Sequence, residues 1–336
     1  MIQTLSWRIA VCILNAAILL GQQNSGWIDD SPHIVQLVKV ADGVELEVLD
    51  WGGTGRPIVL LAGYLTAHAY DEFAPQLTKI GHVYGITRRG LGASSKPESG
   101  YDAKQSSRDV LQVLASLKIV VPVLVGHSFG GQDLSTLGAK ESYAIAALVY
   151  LNSAEDPTLK FSDYGVASVE GNQLPASLRN RPAADFRSIA AYRAWQMETE
   201  GVVFPEAELR QLFAIKADGS LGDYLPARRV RDAIFAGVQK PDYARIRVPV
   251  LAFFSALRPL EQQLRKYPPQ NDRERAAMEQ QFKVNQAIHD RHIRDLKSGV
   301  PAAKVVVVVA PANFYIFLSS QAVLLKELEI FLKALR

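Results

Sequence analysis

Cysteine is all but absent, with Cys12 the only one in 336 residues. That excludes a disulfide framework and any cysteine-built metal site. Histidine is scarce too: there are six, and no pair is spaced H-x-x-x-H. No motif of the kind that loads a metal or an organic cofactor is present, so neither is expected. An excess of one charge is also missing, since 37 Lys and Arg face 34 Asp and Glu for a net charge of +3. With both signs interspersed there is no basic surface for nucleic acid. Long hydrophobic runs are lacking as well. The longest, Ile9 to Leu20, is broken by Asn15 and is too short to cross a bilayer core of roughly 30 Å as a helix.

What is present is an ordinary globular composition, 48% hydrophobic and 21% charged. Arg8, the apolar run and the polar stretch Gly21 to Gly26 together read as a signal peptide over residues 1–26. Leu19-x-Gly21 is the nearest approach to a cleavage site, and an uncleaved anchor or an N-terminal core helix stay open as alternatives. The expectation is a secreted or periplasmic protein with no stable membrane span in its mature chain. Loss of Cys12 with the leader would leave that chain without a thiol, which suits an oxidising compartment.

Beyond the leader, two alternating segments, Val35 to Val40 and Val44 to Trp51, flank Asp42-Gly43 as an antiparallel hairpin would. Short continuous apolar runs then follow at Pro57 to Ala62, Val83 to Ile86, Val121 to Val125 and Ala146 to Leu151. Two more lie at Val248 to Phe254 and Val305 to Val309. Such runs suit strands buried on both faces of a parallel sheet. Helical spacing appears at Ser106 to Leu117 and Ala322 to Leu335. The alternation predicts an α/β fold with a doubly wound sheet. From 157 to 240 the rhythm breaks into helix-like stretches (Ala184 to Thr199, Pro205 to Phe213, Pro226 to Ala236) with no evident strand. This predicts a helical cap at 157–240, inserted between core segments 27–156 and 241–336.

Gly126-His127-Ser128-Phe129-Gly130 follows a buried apolar run and precedes a helical stretch from Gln132. The G-x-S-x-G spacing fits a nucleophile elbow, in which Ser128 occupies a strained strand-to-helix turn and Gly126 and Gly130 let neighbouring backbone approach. The backbone N–H of Phe129 would then face a developing oxyanion. Leu61-Ala62-Gly63-Tyr64 ends the third strand, where the backbone N–H of Tyr64 would supply a second donor.

The order of these elements resembles the α/β-hydrolase superfamily from Ile34 to Leu335. The carrying segments are Leu61 to Tyr64, Val83 to Ser95, Val125 to Gly130 and Ala310 to Phe317. In the second, Thr87 replaces the aspartate of the family's D-x-R-G-x-G-x-S stretch. Ala67-His-Ala-Tyr-Asp-Glu-Phe-Ala-Pro75 is similar to a run in secreted bacterial α/β hydrolases. The resemblance implies an eight-stranded, mostly parallel sheet with the cap after strand 6. It also implies a catalytic histidine after the last strand, where this chain reads Ala312-Asn313-Phe314-Tyr315. Either Asn313 or Phe314 stands in the histidine's place, and neither side chain is a base near neutral pH. The acid positions are altered too. Asn152 follows strand 6, and Ser255-Ala256 follows strand 7. Glu155, Asp156 and Glu261 are nearby carboxylates whose default is a solvated loop. His68 is the histidine left as an alternative base. The expected function is hydrolysis of small esters or amides through Ser128. The alternative is a non-catalytic relative that binds a small ligand under its cap.

Overall fold

The computed structural model describes residues 27–180, 182–309 and 314–335. The leader and Asn313 lie outside the described residues.

Eight strands form one sheet. They are β1 (Ile34–Ala41), β2 (Val44–Gly52), β3 (Pro57–Leu61), β4 (His82–Ile86), β5 (Val123–His127) and β6 (Ala147–Leu151). After a two-stranded hairpin, β7 (Phe213–Ile215) and β8 (Leu221–Tyr224), come β9 (Val250–Ser255) and β10 (Lys304–Val308). The order across the sheet is β1-β2-β4-β3-β5-β6-β9-β10. Pairing is antiparallel for β1 with β2 and for β2 with β4, and parallel elsewhere. The α/β fold read from the sequence is therefore the observed one.

The central apolar runs are continuous because both faces of the sheet are covered there; the expectation fails for Val305 to Val309, which forms the edge strand β10 and leaves Val307 and Val309 exposed. Along β5, Val123 and Val125 pack into one hydrophobic cluster while Leu124 packs into the other. Each is fully buried, which contributes roughly 1.5–3 kcal/mol per side chain. On one face the layer includes Leu324, Leu328 and Phe331 of the C-terminal helix Gln321–Ala334. On the other, Val110, Val113 and Leu114 of the helix Ala103–Ser116 share a cluster with Val59 and Leu61 of β3 and Leu124 of β5.

Capping residues set helix limits that apolar spacing alone misjudges. The helix expected from Ser106 begins at Ala103, because the Asp102 carboxylate accepts the N–H of Gln105. The stretch expected from Ala184 begins at Ile189 under a Ser188 cap and stops at left-handed Gly201. The run expected at Val121 to Val125 is shifted to Val123–His127, since Val121 has φ 47° and precedes Pro122.

Between β6 and β9 lie the helices Ile189–Glu200, Glu206–Leu212 and Arg228–Ala236, close to the expected stretches. The expectation that this segment holds no strand is corrected by the β7–β8 hairpin, whose turn closes through Lys216 N–H and Ser220 O at 2.9 Å. Strands of three and four residues are too short to display a period. Among the described residues, no helix is long and apolar enough to cross a membrane.

Candidate active site

Ser128 follows the last residue of β5 with φ 53° and leads into the helix Gly130–Lys140. Left-handed backbone at a serine is strained and is held here by close packing. A Cβ at Gly130 would lie 2.3 Å from the carbonyl oxygen of Leu61, and one at Gly126 would lie 2.7 Å from Gly130. Both glycines are thus fixed by space, as the elbow spacing requires. Gly63 completes the arrangement. It has φ +74°, and a Cβ there would lie 2.8 Å from the amide nitrogen of Phe129. The loop after β3 is pressed against the elbow, which brings the two expected oxyanion donors to one place. Among the described residues neither Tyr64 N–H nor Phe129 N–H has a backbone or side-chain acceptor.

The surrounding loops are held by buried polar pairs. Arg88, just after β4, donates to Asp133 at 2.6 Å and to the Phe129 carbonyl at 3.3 Å. Burial pushes the Asp133 carboxyl up to about 6 against the pull of Arg88. Thr87, in the family aspartate's position, accepts Ala67 N–H at 2.9 Å and donates to Glu47 at 2.7 Å. From the helix Glu206–Leu212, Glu208 accepts both the N–H and the hydroxyl of Thr66. It is wholly buried, and burial pushes its carboxyl up to about 7.

Ser128 opens on a cavity of about 350 Å³. Tyr64, His127, Phe129 and Phe314 line it, as do Tyr192, Phe204, Phe213 and Tyr224 from the segment between β6 and β9. Phe129 meets Phe235 of the helix Arg228–Ala236 edge to face at 4.8 Å. Glu200 is the sole charged side chain among the described lining residues.

The histidine position holds no base. Phe314 lines the cavity and is 45% exposed. His127 does reach the cavity wall, but its Nε2–H donates to the Phe314 carbonyl at 3.0 Å. Burial pulls its pKa down to about 4, so the ring is neutral. Its edges are packed by Phe314, Tyr315 and Phe317. Among the described residues Ser128 Oγ has no hydrogen-bond partner.

His68 is corrected as an alternative base. It is absent from the described cavity lining, and its ring nitrogens face Asp71 at 3.2 Å and Glu47 at 3.5 Å. Burial opposes a charged ring, but the bonds to Asp71 and Glu47 outweigh it and push the pKa up to about 10. An imidazolium has no lone pair to take the serine proton. The acid positions are neutral as well. Asn152 has φ 52°, and its Oδ1 accepts Ser255 N–H at 3.0 Å. The two alternative acid positions are thereby joined to each other. Glu155, His289 and His292 line a separate cavity of about 250 Å³, with Phe314 on the border of both. Asp156 is turned to Thr158, and Glu261 is exposed.

Fold and elbow define a class, and comparison with known proteins names it. Residues 58–320 match the family model described as the alpha/beta hydrolase family, so the chain belongs to that family. A putative non-heme chloroperoxidase of Synechocystis is 34% identical over 137 residues, covering 39% of this chain and 50% of that protein. Epoxide hydrolase A of Mycobacterium tuberculosis is 30% identical over 176 residues, covering 44% and 53%. The chain spans about half the length of these curated relatives. Among solved structures, E-2-(acetamidomethylene)succinate hydrolase aligns with a TM-score of 0.64 at 19% identity, over 90% of this chain and 100% of that one. Est816, described as an N-acyl homoserine lactone degrading enzyme, aligns with a TM-score of 0.57 at 21% identity, over 88% and 100%. At these identities the likeness is one of fold.

Proposed function

We propose that the protein is a slow serine hydrolase of small, neutral ester or amide substrates, with Ser128 as nucleophile and the amides of Tyr64 and Phe129 as oxyanion donors. The observation that carries this is the left-handed Ser128 facing the cavity beside two backbone N–H groups that lack acceptors among the described residues. Oxyanion donors act without a base, whereas loss of the base from a serine triad costs on the order of 10⁶ in turnover. Activity then rests on the electrophilicity of the substrate.

The lining supports the substrate class. Aromatic rings offer apolar contact, and the hydroxyls of Tyr192 and Tyr224 offer hydrogen bonds to a carbonyl. With Glu200 as the charged lining residue and no described lysine or arginine beside it, a substrate carboxylate would meet repulsion. Reaction with a fluorophosphonate, followed by intact mass, tests the assignment. Slow single modification that Ser128→Ala abolishes is expected, and a label that persists in Ser128→Ala refutes it.

A second reading is a binding protein of the same fold. It is favoured by Phe314, which stands at one of the two candidate base positions and completes an aromatic wall. We also propose that the chain is exported, from the apolar leader after Arg8. N-terminal sequencing of the native protein would show a start near Gly21 to Gly26, and an intact Met1 would refute export.

A further inference from the structure

Four side chains that the proposed reaction does not use converge beside the loop carrying Tyr64. Asp29 and His33 precede β1, while His68 lies in the short turn Ala67–Tyr70 and Asp71 follows it. One donor atom from each residue lies within 4.8 Å of every other. His33 Nδ1 is 2.9 Å from Asp71 Oδ1, and His68 Nδ1 is 3.2 Å from Asp71 Oδ2. Asp29 Oδ2 is 3.6 Å from His68 Nδ1 and 3.7 Å from His33 Nε2. Donors around a tetrahedral zinc ion, with bonds of about 2.0–2.1 Å, are spaced about 3.3–3.4 Å apart. The separations above run through both ring nitrogens of His33 and both carboxylate oxygens of Asp71, whereas an ion would take one donor from each residue; such a set lies within 4.8 Å throughout and would close in on the ion.

We infer that Asp29, His33, His68 and Asp71 form a structural binding site for a divalent transition-metal ion of the zinc type. Two imidazoles and two carboxylates suit zinc and its neighbours, whereas calcium and magnesium prefer oxygen donors throughout. The surroundings match what ligands of this kind need. His68 turns Nε2 toward Glu47 Oε1 at 3.5 Å, and Glu47 is itself held by Thr87 at 2.7 Å. Trp51 Nε1–H donates to Asp71 Oδ1 at 3.2 Å. A carboxylate behind a ligating histidine fixes the ring and strengthens it as a donor. Asp29, Asp71 and Glu47 gather three carboxylates in one place, and a dication offsets most of that charge. The side chains of His33, His68 and Asp71 are 3–4% exposed, while that of Asp29 is 26% exposed and leaves a way in.

Such an ion would tie the segment before β1 to the turn that follows the Gly63–Thr66 loop, without an open position for substrate. The sequence hides the site because its halves lie 35 residues or more apart, with only His33 and His68 to mark them. The rival occupant is the proton, with the ring of His68 held as an imidazolium among the same carboxylates.

The test uses the untagged full chain, incubated with Zn²⁺ and passed through gel filtration, with metal measured by elemental mass spectrometry. About one zinc per chain is expected, together with a higher Tm that EDTA reverses. Asp29→Asn, at the partly exposed position and therefore mild for folding, should weaken zinc binding at least roughly tenfold. His33→Gln should abolish it, and His82→Gln, at a half-buried histidine outside the cluster, should leave it unchanged. Retention of no zinc, or stoichiometric zinc indifferent to both cluster variants, would overturn the inference in favour of the imidazolium network.

Discussion

The Nε2–H of His127 donates to the carbonyl oxygen of Phe314 at 3.0 Å, which ties the residue before Ser128 to one of the two positions where the family resemblance expects a histidine. That bond uses the proton-bearing nitrogen of the sole histidine among the described residues lining the Ser128 cavity. Burial keeps the ring neutral, and its Nδ1 is enclosed without a partner among the described residues. His127 therefore acts on the loop rather than on Ser128. Among the described residues no histidine hydrogen-bonds to Ser128 Oγ, while the strained turn and the adjoining backbone N–H groups are in place.

Restoring the base should then restore turnover. Phe314→His fits a half-open position bordering both cavities, so it should raise ester turnover by roughly 10²–10⁴-fold. Asn152→Asp should add to this only when the histidine is present, because the acid acts through the ring. Asparagine and aspartate both tolerate the left-handed backbone found at 152. If Asn313→His rather than Phe314→His gains activity, the alternative register holds. No gain from either, in folded protein, would favour the binding reading.

Glu208 should give the protein a measurable pH dependence. Its folded pKa of about 7 lies above the ordinary 4.5, so its contribution is fully present below about 4.5 and is lost as pH rises through about 7. Across that window the loss amounts to about 3 kcal/mol at most. Glu208→Gln keeps an acceptor for Thr66 N–H and gains a donor for its hydroxyl. The variant should match the wild type near pH 4.5 and melt several degrees higher at pH 8. Comparing the two proteins cancels other titrating groups such as Asp133 and His127. Parallel stability curves would refute the buried-acid reading of Glu208.

Gly63→Ala should be far more damaging than Gly165→Ala, although both glycines have positive φ. Position 165 has open space, so the cost there is backbone strain of roughly 1–2 kcal/mol. At 63 the new methyl would meet the His127 carbonyl at 2.7 Å and the Phe129 amide at 2.8 Å. Ester activity should fall below detection in Gly63→Ala and persist in Gly165→Ala. Equal effects would show that the close approach is unimportant.

The sheet, the left-handed turn at Ser128 and the Gly63 loop packed against it were legible because each leaves a local trace. Buried strands such as Val123–His127 read as apolar runs, and G-x-S-x-G encodes a turn whose sterics demand small residues. The β7–β8 hairpin left none, because strands of three and four residues are too short for alternation to stand out. His68 misled for a different reason. Its position beside the oxyanion loop is visible in sequence, but the carboxylates Glu47 and Asp71 that claim its nitrogens arrive through tertiary structure. The cavity's charge was equally hidden, since its walls come from segments far apart in the chain.

Substrate charge should therefore discriminate. Neutral aryl esters should be preferred over dicarboxylate monoesters of similar size by tenfold or more in kcat/KM. Glu200→Gln should narrow the gap by lifting repulsion at the wall. An unchanged gap would place the substrate carboxylate away from Glu200.

The pH–rate profile of p-nitrophenyl acetate hydrolysis, measured beside Ser128→Ala, bears most directly on a nucleophile that works without a base. Expected is weak turnover, well under 1 s⁻¹, that Ser128→Ala removes and that shows no inflection between pH 5 and 8. Turnover in the range of roughly 1–10³ s⁻¹ with an inflection near pH 6–7 would contradict it, because a histidine would then be taking the Ser128 proton.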